Sequence, residues 1–180
     1  METLNAIKKR SSVRKFTDKP VSDEDLKKIL LSGSAAPVGM GRYETLRITV
    51  VRDAAVLERI GAGVSRDMSA AFGKEMKRPF NFYGAGTLVI VSSKDTAIKG
   101  INYTNGGTVA ENMMLQAAEG GIGSCFVWFA GTAIDKDKEL KSALSIPEDF
   151  HPMFSLVFGY AKEDVPEKTL TEMKIECNYV

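Results

Sequence analysis

Met153-Phe154-Ser155-Leu156-Val157-Phe158-Gly159-Tyr160 is a strand-length run that is apolar on both of its alternating faces. A strand of that kind must be covered on both sides, which requires a sheet with helices above and below it. The stretch 124–129, Ser-Cys-Phe-Val-Trp-Phe, has the same character. Leu46 to Val51 and Thr87 to Ser92 complete a set of four strands, each rich in β-branched or aromatic residues and bounded by Gly or Pro.

Helical patterns lie between these runs. Ser22 is placed to cap a helix that opens with Asp23, Glu24 and Asp25, buries Leu26, Ile29 and Leu30, and stops at Gly33. Asp53 caps another, with Val56, Leu57 and Ile60 on one face. The region from there through Pro79 reads either as more helix or as a lid over a site. The longest periodic segment runs from Thr108 to Glu119 and ends at Gly120-Gly121, and a shorter one spans Lys136 to Leu144. Helices mixed with strands in this way predict an α+β fold in three layers and a single domain over residues 1–180. The segment 166–180 ends in strand-like Ile175 to Val180 and finds no room in a compact monomer, so it is expected to extend onto a partner subunit.

Of the 180 residues 44% are hydrophobic, enough for a sizeable core, and acids and bases nearly balance at a net charge of +1. That balance provides no broad field for nucleic acid or an anionic membrane. No apolar run approaches the roughly 20 residues of a membrane helix. Cys125 and Cys177 form no CxxC, and Glu2 and the lysines that follow are unlike a signal peptide, so a cytoplasmic setting is the expectation.

Several chemistries lack their residues. His151 is the one histidine, and no Cys, His or carboxylate grouping has metal-ligand spacing, so no metal is expected. No GxSxG elbow presents a serine. Gly61-Ala62-Gly63 and Gly84-Ala85-Gly86 stand in the wrong order relative to strand and helix for a dinucleotide fingerprint. Cys125, within an apolar run, reads as packing and not as a nucleophile. What remains is Arg10-Ser11-Ser12-Val13-Arg14, with two guanidinium forks and adjacent hydroxyls suited to phosphate oxygens. On its own this stretch reads equally as a solvated basic face. Three glycine-bearing segments, 37–41, 106–107 and 120–124, permit close backbone approach to a flat ligand, or simply mark turns.

Taken in order, these pieces resemble the FMN-dependent nitroreductase family over nearly the whole chain. Lys9-Arg10-Ser11-Ser12-Val13-Arg14-Lys15-Phe16 is similar to the family's Arg-Arg-Ser-x-Arg motif. Gly120-Gly121-Ile122-Gly123-Ser124-Cys125-Phe126 is similar to its Gly-Leu-Gly-Ser-Cys turn, and Phe158-Gly159-Tyr160 to its last core strand. The resemblance implies a mainly antiparallel central sheet flanked by helices, and a homodimer with two FMN sites at its interface, along which residues 102–116 run. It implies that Arg10, Ser11, Ser12 and Lys168 hold the phosphate, that Arg14 lies by the N1/O2 edge, and that the backbone of Phe126, Val127 and Trp128 lies near N5. Asn105 and Thr108 match positions near the flavin. The family's Pro-Ser-x-x-Asn-x-Gln-Pro-Trp is here Pro37-Val38-Gly39-Met40-Gly41-Arg42-Tyr43-Glu44, so contacts from Pro37, Val38, Gly39 and Met40 become backbone contacts or are lost.

The implied activity is ping-pong transfer from NADH or NADPH through flavin N5 to a small-molecule acceptor such as a nitroaromatic, a quinone or another flat electrophile. No side chain is assigned a catalytic role, because the flavin carries the chemistry. Trp128, Phe129, Phe80, Phe82 and Tyr83 either line the substrate face or pack in the core. The altered 37–41 loop leaves a second reading open, a flavin- or anion-binding sensor or carrier without turnover.

Overall fold

The computed structural model describes residues 2–180. Its sheet has the order β1-β2-β4-β3, with β1 Leu46–Val51, β2 Thr87–Lys94, β3 Gly123–Val127 and β4 Phe150–Gly159, and every pairing is antiparallel. β2 and β4 are central and buried along almost their full length. Side-chain alternation along them creates two cores. Leu88, Ile90 and Val157 pack with Ile60 and Val64 of α3 (Ala54–Phe72) and with Ala130, Ala133 and Ile134 of α5 (Phe129–Lys136). Val89, Val91, Leu156 and Phe158 pack with Leu26 and Ile29 of α2 (Asp23–Ser34) and with Val109, Met113 and Ala117 of α4 (Ile101–Glu119). Three layers follow from the period-2 pattern of the two central strands. α1 (Thr3–Lys9) lies against α4, and α6 (Lys138–Ala143) follows α5.

Element bounds depart from the sequence reading where local composition misleads. β3 ends at Val127, because Trp128 already has helical φ/ψ and leads directly into α5. That helix is rich in small residues and has no clear apolar period, yet Gly131 is what lets it seat on β4: a Cβ there would stand 2.5 Å from the Met153 carbonyl. β3 is an edge strand, so its apolar composition does not place it between two neighbours, and Phe126 remains 37% exposed. α4 begins at Ile101, so Gly106 and Gly107 lie inside the helix. Gly106 is needed there, since a Cβ would press on Met153 and Phe154 at 2.8 and 3.0 Å.

Of the two readings offered for the stretch through Pro79, helix holds as far as Phe72, where Gly73 turns left-handed (φ +64°). The chain then doubles back along α3. The Met76 N–H donates to Ser69 Oγ, Ser65 Oγ donates to the Arg78 carbonyl, and the Phe80 N–H donates to the Gly61 carbonyl. Gly61, Ser65 and Ser69 are spaced four apart and so share one helix stripe. Among the described residues, no helix is long and apolar enough to cross a membrane.

Candidate functional site

The segment after α1 closes one end of the sheet. The Val13 N–H donates to the Ser124 carbonyl, Ser12 bridges Ser124 in parallel, and Phe16 bridges Ala161. Gly123 and Gly159 are register partners on β3 and β4. A Cβ on Gly123 would meet Val13 at 2.8 Å, and one on Gly159 would meet the Phe16 ring at 2.9 Å. The two glycines thus make the seat on which the segment 12–17 lies, and that seat fixes where Arg10, Ser11, Ser12 and Arg14 emerge.

Arg10, Ser12 and Arg14 all act on Cys125, in the adjoining strand. Burial pushes the Cys125 thiol up, while Arg14, a hydrogen bond from Ser12, and Arg10 oppose the shift. The thiol is therefore protonated at neutral pH and serves as core, within the field of both guanidiniums. A cavity of about 340 Å³ opens beside them, lined by Arg10, Ser11, Gly121, Gly123 and Ser124 among others. Lys168 returns to the same place from the chain's far end. Its N–H donates to the Lys8 carbonyl at 2.9 Å and its Nζ to the Ile7 carbonyl at 3.3 Å, so it caps the last turn of α1. Burial, then Arg10, hold the Lys168 ammonium below the ordinary lysine range.

A second group forms on α4. Asn105 is buried and accepts the Gly39 N–H at 3.0 Å; Thr108 Oγ1 donates to the Pro37 carbonyl at 3.0 Å. Both residues thus anchor the 37–41 loop. Val38 is buried, and Met40 is held outward with φ +58° and 72% exposure. Thr108 is three residues from Glu111, which pairs with Arg10, so the two groups border one face of α4.

Beyond Val127 lies a row of exposed rings. Trp128 stacks with Tyr103 of α4 at 5.8 Å and with Phe126 at 6.4 Å, with interplanar angles of 19° and 21°. Of the five aromatics read as candidates for an open face, Phe82 is buried in the core and Phe80 packs on both it and Tyr83. Phe129 is half-buried against Phe72, which leaves Trp128. Tyr103 and Glu111 were not legible as site residues, because each matters only once α4 lies beside β3 and α1. A polar Tyr-Thr-Asn stretch opening a helix of small residues was the available signal.

Lys9, Arg10 and Ser11 line the glycine-bordered cavity together with the carboxylates of Glu163, Asp164 and Glu167, and Ser12, Arg14 and Lys168 stand near Arg10 outside its lining; the basic and hydroxyl groups suit a dianionic group joined to a flat body. The profile of the Nitroreductase family matches residues 7–160. The chain belongs to the Nitroreductase family. Within that family, a curated Archaeoglobus fulgidus protein with the provisional name NADH dehydrogenase/NAD(P)H nitroreductase is 31% identical over 91% of this chain and 87% of its own length. A nitroreductase with bound FMN from Bacteroides fragilis is 30% identical and superposes with a TM-score of 0.84, over 99% of this chain and all of that one. An FMN-bound nitroreductase from Desulfitobacterium hafniense, 24% identical with a TM-score of 0.81 over 100% and 99% of the two chains, shares the fold.

Proposed function

We propose that this nitroreductase-family chain is an FMN-dependent oxidoreductase that passes reducing equivalents from NADH or NADPH to a flat electrophile, such as a nitroaromatic or a quinone. The convergence of Arg10, Ser12 and Arg14 at the glycine-seated end of β3 carries the reading. FMN, when bound, supplies the two-electron transfer. Arg10, Ser11 and Ser12 hold its phosphate, and Lys168 adds positive charge there while neutralising the carbonyls of α1 that would repel an anion. Arg14 would supply a cation to the ring edge on which reduction accumulates negative charge. β3 is a sheet edge, so beyond Ser124 its outer backbone groups face no strand and the Phe126–Trp128 segment is available to polar ring atoms. Pro37 to Met40 contribute backbone from a loop that Asn105 and Thr108 hold in shape. The exposed Trp128 and Tyr103 rings would flank the open side of the flavin, where a nicotinamide would give a hydride to FMN and leave before an acceptor takes the two electrons, the sequence of a ping-pong cycle.

The active unit in this reading is a homodimer. Leu170, Met173, Ile175 and Tyr179 of the 166–180 tail are exposed. A groove between α2 and the outer edge of β1, lined by Leu26, Leu30, Leu31, Ile48 and Val50, has the apolar character to receive that segment from a second copy. The purified protein should be yellow, with a flavin spectrum that bleaches when NADH or NADPH is added without oxygen and recovers on adding menadione. A yellow protein that neither nicotinamide bleaches is a flavin carrier without turnover, and a colourless protein that FMN does not reconstitute removes the flavin reading.

A further inference from the structure

Arg10 has a carboxylate beside it before any ligand arrives. Its Nε lies 3.6 Å from Oε1 of Glu111, a residue of α4, with 21% of the arginine side chain and 49% of the glutamate side chain exposed. That separation is too long for a directional hydrogen bond, so Glu111 attracts the guanidinium without orienting its fork. Glu111 is felt by Lys168 as well, whose ammonium it favours while Arg10 and Lys174 disfavour it. Arg10 and Lys168 are the two cations assigned to the phosphate, and Glu111 is an acid that reaches the fields of both. A dianion held by Arg10 has to share that guanidinium with the Glu111 carboxylate.

We propose that Glu111 is an internal counter-ion of Arg10 that competes with the cofactor phosphate and so sets how strongly the site prefers a phosphorylated flavin to an unphosphorylated one. The inference rests on the assignment of Arg10 to the phosphate. Glu111 lowers affinity for the anion specifically, keeps Arg10 from standing as an unpaired cation in the empty site, and leaves the ring contacts untouched. It is a specificity residue that acts through Arg10 and touches no reacting atom.

The test is a set of dissociation constants for FMN and riboflavin, read by flavin fluorescence quenching, in the wild type, Glu111→Gln, Arg10→Ala and the double variant. Because a half-exposed ion pair is a modest interaction, Glu111→Gln should tighten FMN about three- to fivefold, with riboflavin unchanged. In the Arg10→Ala background the same substitution should tighten FMN clearly less than in the wild type, leaving only the part exerted through Lys168, and equal tightening overturns the inference. Unchanged or weaker FMN binding in Glu111→Gln, or equal tightening of riboflavin, overturns the inference while a loss of FMN in Arg10→Ala still upholds the phosphate assignment. Wild-type FMN affinity in Arg10→Ala overturns that assignment and the inference with it. Should Arg10→Ala fail to fold, Arg10→Lys replaces it. A cation remains there for Glu111 to compete for, so Glu111→Gln should still tighten FMN and not riboflavin, and an absent effect overturns the inference.

Discussion

Asp137 joins α6 to α3 through one carboxylate. It caps α6 by accepting the Leu140 N–H at 2.9 Å and receives Nε and Nη2 of Arg59 from α3 at 3.1 and 2.9 Å. The Leu140 N–H first, and Arg59 after it, hold the carboxyl below the usual carboxylate range. A carboxyl depressed in the folded state contributes stability that is complete above its unfolded pKa of about 4 and fades as pH falls through the folded value. Asp137→Ala should therefore cost about 1 kcal/mol at neutral pH, and urea unfolding repeated near pH 3 should show a smaller gap from the wild type. Residues of this kind were readable in part. Ser22 and Asp53 were legible as caps because capping is local in sequence, and Arg10 to Arg14 stood out because five consecutive residues carry the grip. Asp137 is not legible as a cap because the apolar period begins the helix at Lys136, and Glu111 is not because its partner Arg10 lies far away in sequence, just past the end of α1.

At the scale of elements, the site depends on a pair of glycines more than on any polar residue. Gly123 and Gly159 face each other across β3 and β4, and Val13 and Phe16 rest on them. Gly123→Ala would drive a methyl into Val13, where β3 gives little room to move, and overpacking of this sort costs about 1–3 kcal/mol. Calorimetry should show a lower melting temperature, and flavin content should fall with it, since Arg10, Ser12 and Arg14 move with the displaced segment. Strands β1, β2 and β4 were legible from their β-branched runs, as was the three-layer arrangement that the central pair demands. α5 was not, because a helix of Ala, Gly and Thr following an apolar strand has the composition of a turn. The return strap after α3 was equally hidden: Gly61, Ser65 and Ser69 reveal their purpose only when the chain folds back to meet them.

At the scale of the whole molecule, the chain's two ends meet. Cutting after Pro166 should convert a dimer into monomers by light scattering, and an intact dimer after the cut would remove the tail from the interface. The same cut takes away Lys168 and exposes the Ile7 and Lys8 carbonyls at the end of α1, so flavin should leave the shortened protein more readily. Lys168 belongs both to the tail that is proposed to grip the second subunit and to the cap beside Arg10. If separation of the subunits frees Lys168 from its cap, assembly and cofactor binding are coupled, and that linkage is reciprocal. Dilution that separates the subunits should loosen the cofactor, and saturating cofactor should tighten the subunits by the same factor, so that supply of the prosthetic group sets the state of assembly.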